Sequence, residues 1–241
     1  MVKLTIDGRE CRAEEEKTIL EVASENGIHI PTLCYHEEVS PYGACRLCMV
    51  EVTRKGRKRL VASCLYPVAE GLVVRTETPE VNNIRRTVIE LLLARCPDSE
   101  VVQEMALDLG VDEPIFSLEK DNHKCILCAL CTRVCQEVVG VSAITLVNRG
   151  VDRQMATPFY DFSEVCIGCG SCSFVCPTRA ISFEDVGDTR VITMPHVTME
   201  FKLKKCSKCG QYWAPERQLE YIAKTAGIAP EAFDICPDCR D

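Results

Sequence analysis

From the N-terminus, Val2, Leu4 and Ile6 alternate with Lys3 and Thr5, and the pair Asp7-Gly8 follows. Alternation ending in Asp-Gly predicts a strand and a tight hairpin, with a return strand near Arg9 to Ala13. The period then lengthens. Thr18 with Glu21 makes a capping box, so a helix is expected from Ile19 to Asn26, stopped by Gly27. Met49 to Thr53 and Leu60 to Ser63 read as strands. Between them Arg54, Lys55, Arg57, Lys58 and Arg59 surround Gly56, a pattern read as a solvated hairpin tip. Gly71 precedes a further strand through Val73, Val74 and Thr76. Thr78-Pro79 suits a cap and first helical position. Val81, Ile84, Val88, Leu91 and Leu92 then form a helical stripe to about Ala94. A second short helix is expected from Ser99 to Leu109, ending at Gly110. Further on, Ala143 to Val147 reads as a strand before the turn Asn148-Arg149-Gly150. Ala180 to Phe183 with Arg190 to Thr193 read as a hairpin, and Glu216 to Ala226 as a helix closed by Gly227.

No apolar run reaches the 18 or so residues that a membrane-spanning helix needs, and the alternating start does not resemble a secretory leader. A chain of 241 residues has room for more than one domain. A net charge of −8 argues against nucleic acid as a partner, because phosphate binding needs a basic surface. Eighteen cysteines are the most informative part of the composition. Without export, that many thiols point to metal ligation in a reducing, cytoplasmic setting, and not to disulfides.

Eight of them form a doubled run: Cys125, Cys128, Cys131 and Cys135, then Cys166, Cys169, Cys172 and Cys176, with Pro177 next. Each half reads C-x2-C-x2-C-x3-C, the ligand run of two-cluster bacterial-type ferredoxins, whose fourth cysteine serves the other cluster. The expected pairing is therefore crossed. Cys125, Cys128 and Cys131 hold one [4Fe–4S] cluster with Cys176, and Cys166, Cys169 and Cys172 hold the second with Cys135. Gly168, Gly170 and Ser171 leave room for backbone N–H groups to approach cluster sulfurs. Zinc usually takes two separated cysteine pairs, which this run does not offer.

Upstream, Cys34, Cys45, Cys48 and Cys64 follow C-x10-C-x2-C-x15-C. Set among a hairpin, a helix and further strands, they suggest a β-grasp ferredoxin with one [2Fe–2S] cluster; zinc is the alternative. In the tail, Cys206, Cys209, Cys236 and Cys239 make two separated C-x2-C knuckles. These match a four-cysteine zinc site of zinc-ribbon type, with a further iron–sulfur cluster as the alternative. Trp213 is expected to pack against the knuckle. Cys11 fits no ligand spacing and reads as a small buried residue. His123, close before Cys125, is either an ordinary loop residue or a group that tunes the nearby cluster. His29, His36 and His196 match no ligand pattern.

The expected fold is α+β. It comprises a β-grasp domain over residues 1–78, a helical bridge over 79–114, a double [4Fe–4S] domain over 115–195 and the four-cysteine tail over 196–241. In this order, and in the phrase from Cys125 through Cys128, Cys131 and Cys135 to Gln136-Glu137-Val138, residues 1–185 resemble the N-terminal part of the complex I large subunit. They also resemble the small iron–sulfur subunit of NAD-linked hydrogenases and related formate dehydrogenases. The family's bridge often carries another cluster with one His and three Cys ligands. Here it offers only Cys96, read as structural, so that cluster is not expected.

The resemblance implies an electron-transfer subunit of a hetero-oligomeric oxidoreductase. Electrons would pass between a flavin- and NAD-binding subunit and a catalytic subunit, a [NiFe] hydrogenase or a formate dehydrogenase. The chain has no G-x-G-x-x-G and no P-loop, so neither NAD nor flavin is expected to bind here, and no catalytic residue is assigned. A free-standing multi-cluster ferredoxin and a scaffold whose clusters only hold the fold are the competing readings.

Overall fold

The computed structural model describes residues 1–113, 115–118 and 124–240. His123 lies outside them. The chain forms two compact units, Met1–Ala129 and Leu130–Asp241. No helix among the described residues is long and apolar enough to cross a membrane.

In the first unit, β1 (Val2–Ile6) and β2 (Arg9–Ala13) pair antiparallel across Asp7-Gly8. Both turn residues have positive φ, +48° and +81°, as a type I′ turn requires. Asp7 also accepts from the Thr76 N–H and hydroxyl, at 2.8 and 2.6 Å, tying the turn to a distant segment. Helix α1 (Ile19–Glu25) starts at the Thr18–Glu21 capping box and buries Ile19, Leu20, Val22 and Ala23. Strands β3 (Met49–Arg54), β4 (Arg57–Ala62) and β5 (Leu72–Arg75) complete a five-stranded sheet. Its order is β2-β1-β5-β3-β4, with β1 and β5 parallel, the connectivity of a β-grasp. The Lys/Arg cluster lies along the exposed β3–β4 hairpin.

Helix α2 (Pro79–Arg95) begins where Thr78 Oγ1 accepts from the Val81 N–H. Its buried line is Val81, Arg85, Ile89 and Leu93, while Leu91, expected in the stripe, is half exposed. The buried face is shifted because Arg85 occupies a core position. Its guanidinium donates to the Leu47 and Met49 carbonyls at 3.1 and 2.8 Å, which satisfies a charge otherwise costly to bury. Helix α3 (Glu100–Asp108) packs on α2. Cys11 and Cys96 are buried.

The second unit opens with the short α4 (Leu130–Arg133), which runs into a turn of π-helix at Val134–Val138. Strands β6 (Thr145–Val147) and β7 (Gln154–Ala156) form a small ribbon, and α5 (Ser171–Phe174) follows. Strands β8 (Ser182–Val186), β9 (Thr189–Met194), β10 (Val197–Lys205) and β11 (Tyr212–Pro215) make one antiparallel sheet in chain order. The expected boundary between residues 195 and 196 falls in the β9–β10 turn, inside this sheet. Helix α6 (Glu216–Ala226) ends at Gly227 in the left-handed conformation and packs Leu219 and Ala223 against Phe233, with Trp213 alongside.

Candidate metal centres

All eighteen cysteines are free of disulfide bonds. Their arrangement distinguishes three kinds of site.

In the β-grasp unit, Cys34, Cys45, Cys48 and Cys64 are buried and lie as two pairs. The Cys48 and Cys64 sulfurs are 3.3 Å apart, and Cys34 and Cys45 are joined by a side-chain hydrogen bond. The Cys45 N–H also donates to Cys34 Sγ at 3.3 Å. Hydrogen bonding to its partner thiol is the main cause that draws Cys45, and likewise Cys48, down to about 6. Cys34 and Cys64 are pushed up by the same proton sharing and by burial. Among the described residues, no three of these sulfurs fall within the 4.8 Å mutual spacing of a single-ion site. Two pairs fit two metals, one pair each, and so fit [2Fe–2S] better than one zinc. The local fold explains the pairs. The β3–β4 hairpin starts beside Cys48 and returns beside Cys64, and its base closes through the Ser63 N–H to the Cys48 carbonyl. Arg85 clamps the same loop from α2.

In the second unit, Cys135, Cys166, Cys169 and Cys172 line one cavity with apolar walls that include Ile144, Ile192 and Met194. Cys135 comes from the π-helical turn and the other three from the Cys166–Cys172 loop, so the fourth cysteine of the first half joins the first three of the second. Cys135 Sγ accepts the Ala143 N–H at 3.2 Å. Burial, then the neighbouring thiols, pushes Cys172 up to about 12; burial also raises Cys135 and Cys166. A metal cation reverses that penalty by stabilising thiolates. The glycines have steric reasons to be there. A Cβ on Gly168 would meet the Phe201 ring at 2.6 Å, one on Gly170 would meet Phe183 at 2.9 Å, and both residues have positive φ.

Of the other four ferredoxin-run cysteines, Cys125 and Cys128 belong to the first unit, and Cys131 and Cys176 to the second. Cys128 and Cys131 are buried; Cys125 and Cys176 are half-buried. Arg95, at the end of α2, donates to the Cys125 carbonyl at 3.1 Å.

In the tail, the sulfurs of Cys206, Cys209, Cys236 and Cys239 all lie within 4.8 Å of one another. Cys209 and Cys236 are 3.8 Å apart, which matches the edge of a tetrahedron with metal–sulfur bonds of about 2.3 Å. Cys206 is drawn down to about 6, chiefly by backbone N–H groups of Cys209 and Cys236. This set fits one ion.

Arg85, Arg190, Arg217 and Tyr221 touch the loops that carry these cysteines, yet belong to no motif. Arg190, nearly buried, forms a two-pronged pair with Asp185 at 2.7 and 2.8 Å. It stacks over Phe183 and reaches the Gly168 carbonyl at 3.4 Å. Arg217 and Tyr221 reach back from α6.

A model of the 2Fe-2S iron-sulfur cluster binding domain matches residues 1–79, and a 4Fe-4S dicluster domain matches 124–180 and again 165–211. The alpha subunit of an NADPH-Fe(3+) oxidoreductase from Geobacter sulfurreducens is 36% identical over 208 residues, covering 75% of this chain and 24% of that protein. A subunit of the NADH-quinone oxidoreductase of Rhizobium meliloti is 34% identical over 206 residues, again covering 75% and 24%. The chain thus spans about a quarter of the length of these curated relatives. A chain of an NAD+-reducing [NiFe]-hydrogenase in the H2-reduced state superposes with a TM-score of 0.57 at 29% identity. The match covers 65% of this chain and 74% of that one.

Proposed function

We propose, for a chain homologous to the iron–sulfur subunits of NAD(P)-linked oxidoreductases and hydrogenases, that it relays electrons between a flavin- and NAD-binding subunit and a catalytic subunit, a [NiFe] hydrogenase. Cys34 and Cys45 hold one iron of a [2Fe–2S] cluster, and Cys48 and Cys64 hold the other. Cys125, Cys128, Cys131 and Cys176 hold one [4Fe–4S] cluster; Cys135, Cys166, Cys169 and Cys172 hold the second. Cys206, Cys209, Cys236 and Cys239 hold zinc, as a closed structural site of zinc-ribbon type. The single observation that carries the reading is the apolar cavity ringed by Cys135 with Cys166, Cys169 and Cys172.

When bound, the clusters supply one-electron redox chemistry. The chain's own residues set its terms. Backbone N–H groups of Cys45 and Ala143 donate to ligand sulfurs, which disperses thiolate charge. Arg85 holds the Cys48 loop and brings a buried positive charge to it. Ile144, Ile192 and Met194 keep water from the second [4Fe–4S] site. No residue is assigned a role in converting substrate. The thiol-rich composition favours a reducing cytoplasm.

Anaerobic purification of the native assembly, with subunit identification and metal analysis, tests this. The expected result is a flavoprotein and a nickel–iron partner, iron for one two-iron and two four-iron clusters, and one zinc in this chain. A molybdenum or tungsten partner would move the assignment to formate oxidation. A lone chain would favour a diffusing carrier.

A further inference from the structure

We infer that the four-cysteine tail is a brace for the second [4Fe–4S] site, with Arg217 and Tyr221 as its positioning residues. The inference rests on the proposed ligation of that site by Cys135, Cys166, Cys169 and Cys172.

The tail is welded to the ferredoxin part of its unit. Strand β10 pairs with β9 from Val197 to Lys202 and, at its far end, with β11. Cys206 follows β10 directly. Phe201, buried in β10, packs where a Cβ on Gly168 would sit, between Cys166 and Cys169. Motion of the knuckle is therefore transmitted along β10 to the ligand loop.

Helix α6 makes the second connection. Arg217 and Tyr221 are four residues apart and so share one face of the helix. Each reaches a different ligand-bearing segment. Arg217 donates to the Glu164 carbonyl at 3.0 Å and to the Cys166 carbonyl at 3.4 Å, and its guanidinium lies 5.1 Å from the centre of the Phe162 ring. Its ion pair with Glu164 at 3.2 Å is exposed and contributes little. Tyr221 donates to the Val139 carbonyl at 2.9 Å, at the end of the π-helical turn that carries Cys135. One helix thus joins the two segments that supply the four ligands. In sequence the helix lies between Cys209 and Cys236, so closing the tail on its ion anchors the chain on both sides of it. A site whose ligands come from two distant stretches is held more firmly when one element joins both of them.

Two consequences separate a brace from a mere surface contact. Metal in the tail and cluster in the ferredoxin site must stabilise each other, because coupling between binding sites is reciprocal. Arg217 also adds positive charge beside Cys166, which favours the more negative, reduced cluster.

The test uses the full chain, purified anaerobically with its bound partners. Zinc and iron are counted, the reductive titration of each cluster is followed by electron paramagnetic resonance, and iron loss to a chelator is timed. Arg217→Met is expected to keep zinc, to move the midpoint of the Cys135/Cys166 cluster to more negative potential, and to leave the [2Fe–2S] midpoint in place. Arg217→Lys should restore most of the shift. Tyr221→Phe removes one hydrogen bond and should speed iron loss from that cluster by about fivefold. Cys209→Ser should lose zinc and speed the same loss by more than tenfold, with the [2Fe–2S] signal unchanged. The brace is refuted if zinc-free Cys209→Ser protein holds the cluster as long as wild type, or if Arg217→Met and Tyr221→Phe match wild type in midpoint and iron loss. A wild-type chain with zinc but without the Cys135/Cys166 cluster would sink the ligand assignment itself, and the brace with it.

Discussion

Replacing Arg85 by Met keeps most of the side chain's apolar stem and removes its charge. Arg85 is only 4% exposed and sits where α2 meets the Cys45–Cys48 loop. Its Nε and one terminal nitrogen donate to the Leu47 and Met49 carbonyls. Leu47 is fully buried, so its carbonyl has no ready water to replace the lost donor. A buried acceptor left unsatisfied costs about 1–3 kcal/mol, and a bond to a charged donor contributes about 1.5–3 kcal/mol. Against this, burial already disfavours the Arg85 charge, so its removal returns part of the cost. The net expectation is about 2–4 kcal/mol of destabilisation in the first unit. With a urea slope of about 2 kcal/mol per molar, the unfolding midpoint should fall by about 1–2 M. The assay is anaerobic urea unfolding followed by far-ultraviolet circular dichroism and by the visible absorbance of the [2Fe–2S] centre. Both transitions should move together, because the clamp lies on the ligand loop. A midpoint within 0.2 M of wild type, with intact visible absorbance, would show that Arg85 is not a clamp (a change of less than about 0.5 kcal/mol at that slope).

Thr18→Ala removes the side-chain half of the capping box, the Oγ1 that accepts the Glu21 N–H, while the backbone N–H of residue 18 still donates to the Glu21 carboxylate; it should cost about 1 kcal/mol, read as a lower thermal midpoint with unchanged iron content. Gly168→Ala forces a side chain into positive φ against Phe201 and should cost about 1–3 kcal/mol, with loss of iron from the Cys135/Cys166 site while the [2Fe–2S] signal persists. Stripping the tail metal with a chelator should shift Trp213 fluorescence, because Trp213 packs on the small α6 cluster that lies between the two knuckles in sequence; an unchanged spectrum would mean that this cluster stands without metal.

Local signals were legible wherever the backbone itself demands a residue type. Asp7-Gly8 marks a turn with two positive φ angles, Thr18 and Glu21 cap α1, and Gly227 ends α6 in the left-handed conformation. The cysteine spacing likewise points to three kinds of site. What spacing does not carry is support from afar. Arg85 reads as a polar interruption of a helical stripe until α2 is seen against the Leu47 and Met49 carbonyls. Arg217 and Tyr221 look like ordinary positions on an amphipathic helix, because their acceptors lie more than fifty residues upstream. Strand β10 did leave a trace, since Met199, Phe201 and Leu203 alternate with Glu200, Lys202 and Lys204. That alternation joins the tail to the preceding hairpin, where the cysteine pattern alone suggests a separate module.

In the proposed relay, the two halves of the doubled cysteine run exchange ligands. Electron paramagnetic resonance of Cys135→Ala, Cys169→Ala and Cys131→Ala in the purified assembly, during reduction with NADH through the flavoprotein partner, distinguishes crossed from uncrossed ligation. Cys135→Ala and Cys169→Ala are expected to lose the same [4Fe–4S] signal, Cys131→Ala to lose the other, and all three to interrupt electron flow. If Cys135→Ala instead lost the same signal as Cys131→Ala, each half would hold its own cluster and the crossed relay would be wrong.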